Sequence, residues 1–324
     1  MKIGNLRLKG KTILAPLAGI TNLPFRLIVK ECGCALVCSE MISSRGILNN
    51  CHKTLMMFDS RKQERPLSVQ IFGSDPNIMA QAAKIIEQEK TADIIDINFG
   101  CSVKKVVKTG AGVALMRNHK NAENVIKAVR KAISIPLTIK IRTGWDRSGI
   151  QAFEIAKIAE DNGVNAICVH PRTATQGFKG KPDLSLIKKI KLQISLPVIG
   201  NGDILYPEHA LDMIKQTNCD GVMIGRGAIS NPFIFSSIES LLKNEKCFYP
   251  DSNDIFKIMK KLLIVSIEYF GENKGCKIMR KRLSWFVKGL PNAANFRRSL
   301  SKIESLSDTM ALINNFQESI EKIS

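Results

Sequence analysis

Residues 92–101 read ADIIDINFGC, a β-branched and aliphatic run that ends in Asn98, Gly100 and Cys101. A short apolar run bounded by turn residues reads as a buried strand. The segment after it, SVKKVVKTGAG (102–112), is basic and marked by glycines, so the strand delivers a cysteine to the mouth of a loop. Seven further runs repeat the pattern: TILAP, ALVCSE and LSVQIFG before it, and LTIKI, AICVH, PVIGNG and GVMIG after it. Stretches with helical spacing separate them, among them 75–90, 121–133, 150–163 and 207–216. Apolar strands alternating with helices predict a parallel sheet covered on both faces, and a count of eight predicts an α/β fold closed as a (β/α)8 TIM barrel.

Polar residues fall at the carboxyl ends of these strands: Pro16 to Gly19, Gln70, Asn98 to Cys101, Lys140 and Arg142, His170 and Arg172, Asn201 to Asp203, then Gly225 and Arg226. The second strand can add Glu40 and Met41. In a barrel those ends converge on one face, where active sites are built. IGNGDI and MIGRGA are glycine turns ahead of helices expected near Pro207 and Asn231. With Arg226 they form either an anion cradle or plain turns, and their joint placement favours the cradle. Lys140, inside the mouth, must be paired with a ligand anion or another charge, and the ligand is the expected partner. Gln70 and Asn98 can read the edge of a flat heterocycle. His170 is a site residue or a satisfied core histidine. Together the cradle, the lysine and the amides resemble a flavin mononucleotide (FMN) site.

At 324 residues and 44% hydrophobic, the chain can bury a large core, and one large domain with a small one is expected. Its nine cysteines are odd in number and sit mostly in apolar segments, which fits reduced thiols in the cytoplasm. Cys32, Cys34 and Cys38 lack a completing pair or histidine, so no metal is expected. Neither a signal peptide nor a membrane-spanning run is read. A net charge of +19 calls for a polyanion, nucleic acid ahead of a membrane surface. After residue 243 the pattern turns helical, which divides the chain into a catalytic barrel (1–243) and a helical domain (244–324). Between Lys274 and Lys302 stand nine Lys or Arg and no acidic residue, interleaved with Trp285, Phe286 and Phe296. That composition suits phosphates and stacking rings, or else a solvated face whose aromatics lie in the core.

The motifs LAPLAGITNLPFR, VQIFGSDP, DINFGCSVKKVVKTGAGVALM, IKIRTGW, VHPRTATQGFKG, GNGDI and GVMIGRGAISNPFIF resemble, in order and spacing, the tRNA-dihydrouridine synthase family. MRKRLSWFVKGLPNAANFR resembles the helical domain of its bacterial branch. The resemblance implies FMN, NADPH or NADH as electron source, and reduction of the C5–C6 bond of a uridine in tRNA. It implies that Cys101 is the acid that protonates C5. Pro16, Leu17, Ala18, Gln70, Lys140, His170, Asn201, Gly202, Asp203, Gly225 and Arg226 would hold the flavin. Asn98, Arg142 and His170 would lie against flavin and uracil, with Gly110 and Gly112 letting the loop close. Lys104, Lys105, Arg280, Lys281 and Arg282 would meet RNA. Ser102 and Ala174 depart from the family pattern, where proline and arginine are common. No obligate protein partner is implied, and a monomer is expected. Two competing readings are a flavin-dependent barrel enzyme acting on a free small molecule, against which the basic helical segment argues, and a non-catalytic tRNA-binding scaffold, against which the assembled polar set argues.

Overall fold

The computed structural model describes residues 1–322. Eight strands follow one another along the chain: β1 (Thr12–Leu14), β2 (Val37–Ser43), β3 (Leu67–Phe72), β4 (Ile94–Phe99), β5 (Leu137–Gly144), β6 (Ala166–Thr173), β7 (Val198–Asn201) and β8 (Gly221–Ile224). Each lies parallel to its neighbour, from β2 through β8 and on to β1. Ile13 bridges Leu36, which closes the sheet into the expected barrel. Closure depends on a strand of only three residues. Glu239, on helix Ile234–Leu242, holds its start by accepting from the Lys11 and Thr12 amides at 2.7 and 2.9 Å and from Thr12 Oγ1 at 2.8 Å.

Side chains alternate across each strand, and the alternation sorts the apolar residues into two cores. Ile95, Ile97 and Phe99 point outward with Val69, Ile71, Ile139 and Ile141 to meet the helices. Ile13, Leu36, Cys38, Ile94, Cys168, Ile199 and Met223 fill the barrel itself. An amino-terminal hairpin, Lys2–Ile3 with Leu6–Arg7, adds Ile3 and Leu8 to the inner core, with Met1 and Leu6 packed against it. The other end of the barrel is left to polar side chains.

Helices Pro76–Gln88, His119–Ala132, Ile150–Asp161 and Pro207–Thr217 fall where the sequence places them. After β8 the chain departs from expectation: a short helix, Arg226–Ser230, begins at once, ahead of Ile234–Leu242. Helices Ser252–Phe270, Glu272–Phe286, Ala293–Ser299 and Leu306–Glu321 then pack together. Phe296 stacks on Phe316 at 4.4 Å, and Phe286 is buried as well. Those two rings are therefore core residues and cannot stack on a nucleobase. Trp285 alone of the three is half-buried.

Near the junction of barrel and helices lies a buried ion pair. Arg26 Nε meets Glu64 Oε2 at 2.6 Å with both side chains fully enclosed, and the guanidinium also donates to Thr21 O and Asp59 O. Removing one partner of such a pair strands the other charge. Glu64→Ala should therefore lower unfolding free energy by about 3–5 kcal/mol in urea titration. A loss below about 1 kcal/mol would show that water reaches Arg26.

Candidate active site

Above the inner core the carboxyl ends of the strands surround a cavity of about 260 Å³. Pro16, Leu17, Ala18, Gln70, Lys140, His170, Asn201, Gly202, Asp203, Gly225 and Arg226 all line it, as do Asn98, Cys101 and Arg142. Lys104 and Lys105 stand exposed on a short helix just past Cys101, outside the cavity lining.

A chain of hydrogen bonds runs from the barrel interior to the cysteine. Asp96, buried on β4, accepts from Thr138 Oγ1 at 2.6 Å and from Gln70 Nε2 at 2.7 Å. Gln70 Oε1 then accepts from Asn98 Nδ2 at 2.8 Å, and Asn98 Oδ1 accepts from the amides of Gly100 and Cys101 at 3.1 and 2.8 Å. A carboxylate offers only acceptors, so Asp96 fixes which way each amide points. Burial pushes the Asp96 carboxyl upward, against the two hydrogen bonds and the Lys140 charge, which favour the ionised form.

Cys101 is half-buried, and burial raises its thiol above the ordinary value, partly offset by a hydrogen bond from the Val103 backbone and by Arg142. The thiol is therefore protonated at neutral pH. Its carbonyl accepts from Val113 N at 3.0 Å, bringing the chain back against the loop at Gly112. A side chain at Gly112 would lie 2.5 Å from that carbonyl, and φ there is +64°. Close approach is thus a reason for this glycine beyond loop mobility.

Lys140 Nζ donates to Asn201 Oδ1 at 2.9 Å, and Asn201 donates onward to Met223 O at 2.7 Å. Besides the ligand expected to pair with Lys140, register thus places a neutral amide of β7 within its reach. Arg142 spends its donors on the loops: Nε on Gly100 O at 2.8 Å, Nη1 on Gly177 O at 2.9 Å and Thr173 O at 3.2 Å. Asp203 accepts from Arg172 at 2.6 Å and from Arg226 at 2.6 Å, so the cradle after β7 and β8 holds two cations on one anion. Phe178, 62% exposed at the rim, packs 5.2 Å from the Arg226 guanidinium. Neither Phe178 nor the Asp96 chain was legible as site structure from strand ends. Phe178 sits in a loop interior, and Asp96 lies two residues below the strand's polar end.

One of the basic residues assigned to RNA is enclosed by the protein. Arg282 is 2% exposed and donates to Gly19 O, Ile20 O and Asn22 Oδ1, so its assignment to RNA contact is corrected. Arg280 is partly exposed, with both Nε and Nη2 donating to Ile303 O. Lys281 is exposed, as are Lys274, Lys277, Lys288, Arg297, Arg298 and Lys302. Among the described residues no cluster of metal-ligating side chains occurs, and no helix is long and apolar enough to cross a membrane. All nine cysteines are free, of which Cys51 is exposed, Cys101 and Cys247 are intermediate, and the rest are buried.

The family model described as dihydrouridine synthase (Dus) matches residues 13–322. A probable tRNA-dihydrouridine synthase of Rickettsia bellii is 40% identical over 303 residues, covering 93% of both chains. The tRNA-dihydrouridine synthase B proteins of Pasteurella multocida and Vibrio vulnificus are 37% and 40% identical, covering 98% and 94% of this chain and 95% of each of theirs. Among solved structures, histamine dehydrogenase from Rhizobium sp. 4-9 superposes with a TM-score of 0.57 at 13% identity, over 82% of this chain and 50% of that one. At that identity the likeness concerns the barrel fold alone.

His170 gives the site a measurable signature. Burial first, then the charges of Lys140, Arg142, Arg172 and Arg226, push the imidazole down to about 2. The folded value lies below the unfolded one, so below about pH 6.5 the unfolded chain binds a proton that the native state refuses. Stability from this group is intact above that pH and declines beneath it. Relative to His170→Gln, the wild type should lose about 1.4 kcal/mol per pH unit between about pH 6 and pH 4 in urea titrations. A difference independent of pH would place the imidazole in water.

Proposed function

Because this chain belongs to the dihydrouridine synthase family, we propose that it reduces the C5–C6 double bond of specific uridines in tRNA, with FMN as cofactor and NADPH or NADH as electron source. The observation that carries this reading is a half-buried thiol lining a cavity together with a lysine and two hydrogen-bonded, oriented amides. The donor set suits a flavin. Lys140 has hydrogens to spare beyond Asn201, and Gln70 keeps one amide hydrogen beyond Asp96, so both can meet ring carbonyls or nitrogens. Arg172 and Arg226 outnumber Asp203, and with the Gly202 and Gly225 turns they make a cationic cradle for a phosphate.

When bound and reduced by NADPH or NADH, FMN would supply the hydride for uracil C6. Cys101 then gives its proton to C5, where negative charge has built up, and the thiolate left behind faces Arg142, whose charge favours it. A proton from solvent restores the thiol. Asn98 and the Gly112 turn hold the Cys101 backbone while this happens. His170, neutral at working pH, can donate or accept one hydrogen bond without adding charge beside Lys140.

A stacked base cannot reach this depth, so the uridine must flip out, at about a few kcal/mol. Lys104 and Lys105 beside the mouth, and the exposed cations of residues 274–302, supply phosphate contacts that offset it. Residues 1–243 thus act as catalytic barrel and 244–324 as RNA-binding domain. Nine free thiols and an RNA substrate fit a cytoplasmic enzyme, and no second subunit is required by the site.

Purified protein should show flavin absorbance or take up FMN, and a folded preparation that does neither would overturn the reading. Cys101→Ala should keep the flavin and its reduction by nicotinamide but slow dihydrouridine formation by about 10²–10⁴-fold. Equal turnover by the variant would move the acid elsewhere. Replacing Lys277, Lys281 and Lys288 together by alanine should flatten the log–log salt dependence of tRNA binding by roughly one to three units, with flavin reduction unchanged.

A further inference from the structure

Arg282 belongs to the helical segment, yet everything it bonds belongs to the barrel. Its Nη2 donates to Gly19 O at 3.0 Å and Ile20 O at 3.1 Å, and its Nη1 donates to Asn22 Oδ1 at 3.1 Å. These acceptors lie in the loop after β1, whose preceding residues Pro16, Leu17 and Ala18 form one wall of the cavity. The loop is a tight turn, with Ile20 N and Thr21 N both donating to Leu17 O and Leu17 N donating to Thr21 Oγ1. From the opposite side the Glu40 carboxylate accepts from Gly19 N. Gly19, at φ +74° with open space around it, is thus clamped at its amide by β2 and at its carbonyl by the helical segment. Asn22 also accepts from Phe25 N to cap helix Leu23–Glu31, so the guanidinium reaches that cap as well. Burial lowers the Arg282 guanidinium to about 10, with Glu40 as the opposing charge, so it stays a cation at neutral pH.

A fully buried guanidinium carries a large desolvation cost, and an anchor between two parts of a chain could be made of leucines for less. What leucine cannot do is fix three acceptors of one turn at once. We propose that Arg282 is a positioning residue: it sets the Pro16–Thr21 loop, so that the cavity wall against which the cofactor lies is completed by the helical segment. The part of the chain that meets RNA is then also a structural component of the flavin site. Tyr269 supplies the internal comparison, because its hydroxyl crosses the same junction to Met56 O at 3.0 Å and Asp59 Oδ2 at 2.8 Å without touching that loop.

The proposal rests on the flavin reading for its cofactor arm, and an arm independent of cofactor separates the two. In flavin-free protein, amide hydrogen–deuterium exchange of residues 17–22 should quicken at least about tenfold in Arg282→Met while the barrel strands exchange as before, because the substitution removes three charge-assisted hydrogen bonds and the loss of even one is worth roughly that factor. The FMN dissociation constant should rise by about the same factor. Arg282→Lys, which keeps the charge but cannot span three acceptors, should fall between. Tyr269→Phe should lower the melting temperature and leave both readouts unchanged. Wild-type exchange and affinity in a folded Arg282→Met protein would overturn the assignment, and so would an equal effect from Tyr269→Phe. If Arg282→Met does not fold, the lysine variant decides: selective loosening of 17–22 supports the assignment and wild-type exchange refutes it. A wild-type protein that binds no FMN would sink the functional reading and leave the exchange result standing.

Discussion

Everything at this site depends on closing the barrel at its shortest strand. Three residues of β1 must pair with β8 on one side and meet Leu36 on the other, and so short a ladder holds poorly unaided. Glu239 supplies what the ladder lacks by binding the start of the strand from a helix more than two hundred residues away in sequence. Once closed, the barrel has no free edge, and each strand's last residues are forced to one rim. Residues from Pro16 to Arg226 become neighbours for that reason alone.

Closure explains proximity but not orientation. A ring of amides and cations could settle in many hydrogen-bonding patterns, and most would present the wrong atom to a ligand. Asp96 removes that freedom, because a carboxylate cannot donate. From it the sense passes through Gln70 to Asn98 and ends on the Cys101 amide. The same rule recurs in the cradle, where Asp203 orients two arginines, and in the rim, where carbonyls orient Arg142. Acceptors are placed first, and donors follow them.

This distinction marks what the sequence made legible. Strands, helices and the convergence of their polar ends follow from period and punctuation, so the barrel and the strand-end residues that line the cavity could be read directly. Gln70 opposite Asp96 could not, because cross-strand register is invisible in a single chain. Arg282 misled for a different reason. Within RKR it reads as one more surface cation, although it shares a helical stripe with Met279, Leu283 and Phe286, all buried. Period outweighed composition there, as it did for Phe296. Phe178 had no strand to announce it and packs against Arg142 of β5 and Arg226 of the helix after β8.

The thiol inventory bears on how this protein can be handled chemically. Six of the nine sulfurs are buried, and burial pushes their thiols upward, which slows attack by alkylating reagents. Cys51 is the reverse case: it is open to solvent, and hydrogen bonds from Thr54 lower its thiol, so it carries more thiolate than Cys101 at any neutral pH. Iodoacetamide would therefore label Cys51 before it labels Cys101. Total alkylation would then report mostly on Cys51, and peptide-resolved labelling, or a Cys51→Ser background, is needed before covalent modification can report on Cys101.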